Sequence, residues 1–385
     1  MKRDLLMILL LSGVLLFPLH SAAFHESQIQ YSTPNEFASL LTLELNGRAT
    51  RSNLLFSPLS VHSALSMTSL GADGSTKMQM DAVLGPHTAS FGSDELSIAN
   101  AIWIDTRYST SDGFVTRTER QFSAEVAKLD FQQAQSVDTI NSWVDKATNG
   151  KIDSIIDRLE PDMRMVLVNA VHFLADWSDP FDPNDTRDRI FHSPKGGYPT
   201  PFMHAERTMS VVETDGATGV ALPYEGGRFV FVALLPPEDV ALEQWIGEQH
   251  GQLVDRLFQS VATGVSERVD LALPKFLDRF EAKLSGPLKS IGMTEPFDPS
   301  VADFSRMHAE GRKDLFIDEV LHKTFIRVDE KGTEAAAVTA VMMRLTSMMP
   351  SGRQIVFDRP FFYSILDTKT DHALFIGTMS EPIAP

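Results

Sequence analysis

The stretch EKGTEAAAVTAVMMRLTSMMPSGR, residues 330–353, decides how this chain is read. It fits no regular element: small residues come first, then methionines, then Pro350-Ser351-Gly352. A connection of this length without its own structure is either functional or disordered. Disorder sits poorly with Thr333–Met343, which is rich in Ala, Val, Thr and Met and free of Pro and Gly. Written as a strand, one face carries Thr333, Ala335, Ala337, Thr339, Val341 and Met343. The other carries Glu334, Ala336, Val338, Ala340, Met342 and Arg344. Both charges fall on one face, and the opposite face is uncharged and small near its start. A strand with one buried face needs that parity, because burying an unpaired charge is costly.

The chain on either side of this stretch mixes helices and strands without βαβ alternation. Residues 34–47, 58–71 and 73–84 read as helices, and 97–104 as a strand. A helix over 137–149 is stopped by Asn149-Gly150 in the left-handed region. Met165–Leu174 is almost wholly apolar, as a strand buried on both faces would be. Two strands flank the turn Glu225-Gly226-Gly227 within 218–235. Helices are predicted at 240–259 and 279–291, and strands at 315–329, 361–367 and 372–379. Helices early and strands late imply an α+β fold.

Composition narrows the function. The chain has 385 residues, no cysteine and a formal net charge of −17. No disulfide, thiolate zinc site, iron–sulfur cluster or cysteine nucleophile can be built from it. The acidity disfavours nucleic acid as a partner, since phosphate binding relies on Lys and Arg. Length alone suggests two or three domains, or one large one. Lys2-Arg3, the apolar run Leu5–Leu19 and the small residues Ser21-Ala22-Ala23 read as a secretory signal peptide over residues 1–23. The run is short of the ~20 apolar residues of a spanning helix, so no membrane segment is expected. The mature chain is then exported to the extracellular space, or to the periplasm in a bacterium. Asn184-Asp185-Thr186 fits the N-glycosylation pattern.

Enzyme motifs are missing. The sequence contains no G-x-S-x-G elbow, P-loop, dinucleotide-binding glycine pattern or H-E-x-x-H. The histidines show no metal-ligand spacing, and the loop methionines are compatible with core packing or a soft-metal patch. No cofactor and no metal is expected.

Seven collinear segments do carry a specific pattern. NLLFSPLSVHSALSM (53–67), INSWVDKATNGKI (140–152), LVNAVHFLADW (167–177), LPKF (273–276), ADFSRM (302–307), KGTEAAAVT (331–339) and FDRPFFYSI (357–365) resemble the serpins, in the right order and across nearly all of residues 24–385. The resemblance implies a single domain with three β-sheets, about eight helices and an exposed reactive loop at about 331–353. It implies a suicide inhibitor of serine proteases, not an enzyme, whose loop is cleaved as a substrate and then inserts as a new β-strand. About twelve to sixteen residues at ~3.3 Å each would carry the acylated protease some 40–50 Å. The alternative is a non-inhibitory serpin, a carrier or chaperone; those often have bulky or charged hinges, unlike Thr333 and Ala335-Ala336-Ala337.

The resemblance also implies roles. Glu330, Gly332, Thr333, Glu334, Ala335, Ala336 and Ala337 would form the hinge. Ser57, Ser60, Asn169 and His322 would form a polar cluster beneath the central sheet, the shutter. Trp177, Lys275 and Glu330 would surround the breach where the loop first inserts, with Lys275–Glu330 as an ion pair. Family spacing from Glu330 places the scissile bond at Thr346–Ser347, within a register that spans Arg344 to Met349. Elastase-, subtilisin- or chymotrypsin-like enzymes are then the expected partners of a monomer. Two departures stand out. The segment between Leu84 and Leu96 is short and lacks Lys and Arg, so heparin is not an expected partner. His172 and Ala175-Asp176 stand where an aromatic and Lys-Gly are usual.

Overall fold

A nine-stranded sheet, a four-stranded sheet and a three-stranded sheet organise the chain. The computed structural model describes residues 32–48, 53–86, 95–160, 162–333 and 352–385, less the side chains of 97–99, 169, 170 and 172. The expected signal peptide and the loop residues 334–351 lie outside the described residues. Eight α-helices are described: α1 (Pro34–Arg48), α2 (Pro58–Ser69), α3 (Gly74–Leu84), α4 (Asp112–Phe122), α5 (Gln135–Ala147), α6 (Leu242–Gly247), α7 (Leu253–Ala262) and α8 (Ser285–Ser290).

The nine-stranded sheet runs β1 (Leu54–Phe56), β16 (His372–Met379), β15 (Phe361–Asp367), β9 (Phe229–Leu235), β8 (Ala217–Pro223), β7 (Gly196–Thr214), β10 (Val265–Pro274) and β14 (Arg353–Val356), with β6 (Arg187–Ser193) paired to β7. Its inner strands read as continuous apolar runs: every residue of β15 is buried, as is all of β9 except Leu235. The three-stranded sheet is β3 (Glu125–Leu129), β2 (Leu96–Asp105) and β4 (Met165–Phe173). The four-stranded one is β11 (Phe276–Lys283), β12 (Leu321–Val328), β13 (Gly332–Thr333) and β5 (Ala175–Asp176).

These two smaller sheets face each other across a seam. β13 is antiparallel to both β12 and β5, with Val328↔Thr333, Thr333↔Ala175 and Gly332↔Asp176 in register. β5 follows β4 directly in the chain, so β4 and β12 run parallel to each other. Among the described residues no ladder joins them. Helix α2 packs against β4, and α5 packs against β2 and β4. Ile140 and Val144 of α5 share an apolar cluster with Trp103 and Val168, and Leu321 and Phe325 of β12 pack against it.

The local signals explain most of this. Ser57 caps α2 in extended backbone, with its Oγ accepting from the Ser60 N–H at 3.3 Å and Pro58 at the first helical position. Asn149 and Gly150 take positive φ after α5, as the sequence predicts. Three expectations differ. The predicted helix over 240–259 is two helices, because His250 and Gly251 both adopt positive φ and break it. Residues 279–283 belong to strand β11: Phe276 and Asp278 are buried while Arg279, Glu281 and Lys283 are exposed, a period of two. The strand predicted from 315 begins only at Leu321.

Gly377 marks a tight crossing in the apolar core. It pairs with Tyr363, and a Cβ added there would lie 2.2 Å from Tyr363 Cζ. Gly377→Ala is therefore expected to destabilise the fold by roughly 1–3 kcal/mol through overpacking. A lowered urea midpoint for the intact chain checks this; an unchanged midpoint would contradict the close approach.

Candidate functional site

The site is the top of the seam, where the segment that enters the loop joins the sheet. The turn Asp329–Gly332 delivers it: the Asp329 N–H donates to Gly332 O at 3.0 Å and the Lys331 N–H to Asp329 Oδ1 at 3.0 Å. Gly332 is needed for proximity. A Cβ there would lie 2.1 Å from Ala175 O and 2.8 Å from Asp176 Cα, both backbone atoms that cannot step aside. Thr333 is buried, and its Oγ1 shares a hydrogen bond with the Tyr224 hydroxyl.

All three predicted breach residues meet here. Lys275 Nζ lies 2.9 and 3.0 Å from the two carboxylate oxygens of Glu330. The Thr186 hydroxyl donates to Glu330 Oε1 at 2.8 Å. Burial would raise the Glu330 carboxyl, but the hydrogen bonds from Lys275 and Thr186 outweigh it and hold the group below its usual range. The indole of Trp177 stacks on Tyr224 with centroids 4.5 Å apart. Its Nε1–H donates to Asp329 O at 2.9 Å, and its backbone N–H to Lys331 O at 2.7 Å. Trp177 thus holds the turn Asp329–Gly332 by backbone and side chain together.

Three of the four predicted shutter residues cluster below. The Ser57 N–H donates to His322 Nε2 at 3.1 Å, so the ring proton sits on Nδ1. Ser60 is joined to Ser57 by the cap bond. Asn169 lies on β4, paired with Asn100 of β2, and its side chain is outside the described residues. Thr324, two residues along from His322, donates to Leu55 O at 2.9 Å. The predicted hinge residues Glu334, Ala335, Ala336 and Ala337 and the predicted scissile pair Thr346 and Ser347 lie outside the described residues.

Sequence reasoning missed Tyr224, Thr186 and Asp278. Tyr224 immediately precedes the recognised turn at Glu225-Gly226-Gly227, so the inward parity of β8 could have pointed to it. Thr186 and Asp278 carry no pattern of their own. A cleft of about 570 Å³ opens at the foot of the seam, lined among the described residues by Met165, Leu167, Ile317 and Leu321. Among the described residues no His, Asp or Glu cluster could hold a metal, and no helix is long and apolar enough to cross a membrane.

Comparison with known proteins gives this geometry a family. The serpin (serine protease inhibitor) family model matches residues 32–382. An uncharacterised serpin-like protein of the archaeon Thermococcus kodakarensis is 36% identical over 375 residues, covering 90% of this chain and 84% of that protein. The native-state structure of the thermophilic serpin tengpin superposes with a TM-score of 0.81 at 31% identity, covering 91% of this chain and 97% of its own; its latent-state structure gives 0.75. Thyroxine-binding globulin in complex with thyroxine gives a TM-score of 0.80 at 28% identity, covering 91% and 98%. The chain belongs to the serpin family, with the family's α+β fold of eight helices and three sheets. Most members inhibit serine proteases and are not enzymes; some, such as thyroxine-binding globulin, are non-inhibitory.

Two buried titratable groups under the β11–β12 pair make opposite contributions to stability. Burial pulls His322 down to about 4. Below ~6.5 the unfolded chain takes up a proton that the folded chain refuses, so this contribution is full above ~6.5 and falls by up to ~3 kcal/mol toward pH 4. Burial pushes Asp278 up to about 7, partly offset by hydrogen bonds from Asn53 and the Arg279 N–H. Its contribution is full below about 3.8 and is lost as pH rises through 7. The two oppose each other between pH 4 and 7, so variants must separate them. His322→Gln is expected to leave a stability that only declines as pH rises from 5 to 7.5, and Asp278→Asn one that only increases. Urea midpoints across that range check both; parallel profiles for the two variants would refute the assignment.

Proposed function

We propose that this serpin is an exported suicide inhibitor of serine proteases that works by inserting its own loop into the seam between β4 and β12. One observation carries the reading: Gly332 and Thr333 pair with both edges of the seam at its top. The first rung of the inserted strand is in place, and the edges below it have no ladder between them among the described residues. Continuing the same register would bring Ala335, Ala337 and Thr339 level with Ile326, Thr324 and His322, whose side chains are buried. Glu334 would come level with the partly exposed Arg327. The uncharged face of the loop meets the buried side, and its acidic residue meets an arginine.

The chemistry is the protease's own. Its serine attacks the carbonyl carbon of the scissile residue, Thr346 by family spacing. The peptide bond to Ser347 breaks, and Ser347 leaves with a protonated amine. An ester then joins the protease to the Thr346 carbonyl. Cleavage frees the residues after Thr333, which enter the seam and satisfy backbone donors and acceptors on both sides. The moving strand drags the ester-linked protease with it and prevents water from completing deacylation. This chain contributes the carbonyl and the mechanical work, with no catalytic side chain. Elastase-, subtilisin- or chymotrypsin-like proteases are the proposed partners, and the sequence features of residues 1–23 support export.

The carrier reading fits less well. A carrier has no need of a hinge whose inward face is uniformly small and uncharged, whereas insertion does.

Mixed with a suitable protease, the chain is expected to form an adduct that survives denaturing electrophoresis, and the cleaved form to melt well above the intact one. Simple cleavage with neither result would refute the proposal. Thr333→Arg would bury a cation at the first rung beside Tyr224. It is expected to turn the inhibitor into a substrate, raising the serpin consumed per protease inhibited by on the order of tenfold, equivalent to ~1.4 kcal/mol between the two outcomes. Unchanged stoichiometry would remove insertion at Thr333 from the mechanism.

A further inference from the structure

The cleft of about 570 Å³ at the foot of the seam exists because one of its walls leaves the sheet. Leu315 and Ile317 are buried while Asp314, Phe316 and Asp318 are exposed, the alternation of a half-buried strand. Yet β12 begins only at Leu321, opposite Lys283. The residues before it bond elsewhere: the Ile317 N–H donates to Pro296 O at 2.8 Å, and the Val320 N–H to Ser285 Oγ at 3.1 Å. The second wall is residues 155–164, the end of the connection from α5 to β4. Asn141 of α5 fixes it. Its Nδ2 donates to Ile156 O at 2.8 Å, and its Oδ1 accepts from the Ile155 and Ile156 N–H groups at 2.9 and 3.1 Å. Both walls are therefore built in the intact chain. Leu159, Met163, Met165 and Leu167 line the space between them and are only partly buried. Apolar clefts of roughly 300–1,000 Å³ with a few polar groups are where proteins hold small molecules.

The charges around this cleft are one-sided, with seven carboxylates against three cations. Three of the carboxylates are engaged. Glu160 pairs with Arg158 at 2.5 Å, Glu281 pairs with Lys323 at 3.0 Å, and Glu319 accepts from the Ser285 N–H at 3.2 Å. The other four are Asp157 and Asp162 on one wall and Asp314 and Asp318 on the other. All four are exposed, and none has an ion-pair or hydrogen-bond partner among the described residues. Of the cations, Arg158 is held by Glu160, and Arg164 donates to Met163 O at 2.9 Å. Charges of one sign around low-dielectric walls focus a negative potential on the mouth. Among the described residues these acids do not gather into a metal-holding group, and the walls between them offer hydrocarbon in place of oxygen ligands.

We propose that this cleft binds a small organic cation with an apolar body, an amine or guanidine on an alkyl or aryl frame. The body lies on Met165 and Leu167, and the charged group stays at the wet mouth among the four aspartates. An anion of the same shape meets four uncompensated carboxylates, and a neutral analogue keeps only the apolar contacts. The site belongs to the intact chain and does not depend on the insertion mechanism.

The test titrates the intact chain with three fluorescent probes that share one apolar body: dansylcadaverine, a cation; dansyl propylamide, neutral; and dansyl-6-aminohexanoate, an anion. Blue-shifted emission reports entry into an apolar site. At about 0.05 M salt the cation is expected to bind about tenfold more tightly than the anion, with the neutral probe between them, and the spread should narrow at about 0.5 M. Asp157→Asn/Asp162→Asn and Asp314→Asn/Asp318→Asn should each weaken the cation about threefold. The quadruple variant should bring it to the affinity of the neutral probe, whose own binding stays unchanged. Asp112→Asn/Glu119→Gln on α4 removes the same charge from another exposed surface and should leave all three probes as in wild type. Cadaverine, which lacks the body, should not displace the bound probe. Equal affinities for cation and anion overturn the proposal, as does a quadruple variant that binds the cation like wild type. Equal weakening by the α4 variant overturns it too, because the preference would then follow net charge and not the cleft. Displacement by cadaverine would remove the apolar walls from the recognition and with them the proposed ligand class.

Discussion

Everything distinctive in this molecule depends on the seam between β4 and β12. A sheet is stable because interior strands satisfy their backbone groups on both sides. Here two parallel-running strands lie side by side with no ladder joining them among the described residues, inside a body whose other strands are well paired. Such an arrangement leaves backbone groups on both edges for one more antiparallel strand, which the proposed insertion would supply. At the top of the seam, Trp177 and Tyr224 hold the turn that ends in Gly332 and Thr333.

The polar groups around the seam share this logic. A buried hydrogen-bonded network is costly to leave half-satisfied, so it favours one arrangement over its neighbours. Ser57 illustrates the economy of the design, since a single residue caps α2 with its side chain and binds His322 with its backbone N–H. Movement of β12 would strand both the imidazole and the N–H until a new partner arrived. The turn Asp329–Gly332 behaves likewise. Glu330 is shared by Lys275 and Thr186, so the ion pair that steadies the turn also fixes where the chain leaves it.

Much of this was legible in the sequence, for reasons that differ by element. The apolar run of β4, the helical start at residue 58 and the Asn149-Gly150 stop of α5 are local signals, and each appears where it is read. The parity of Thr333–Arg344 is a reading of period two alone, and its residues after Thr333 lie outside the described residues. What failed was where tertiary context overrides local pattern. Residues 279–291 read as a helix, yet Arg279, Glu281 and Lys283 form the outer face of a strand. The 240–259 helix breaks at His250-Gly251 because the chain turns there, not because the residues forbid a helix. Tyr224, Thr186 and Asp278 act through partners far away in sequence, and no spacing rule could pair Thr186 with Glu330.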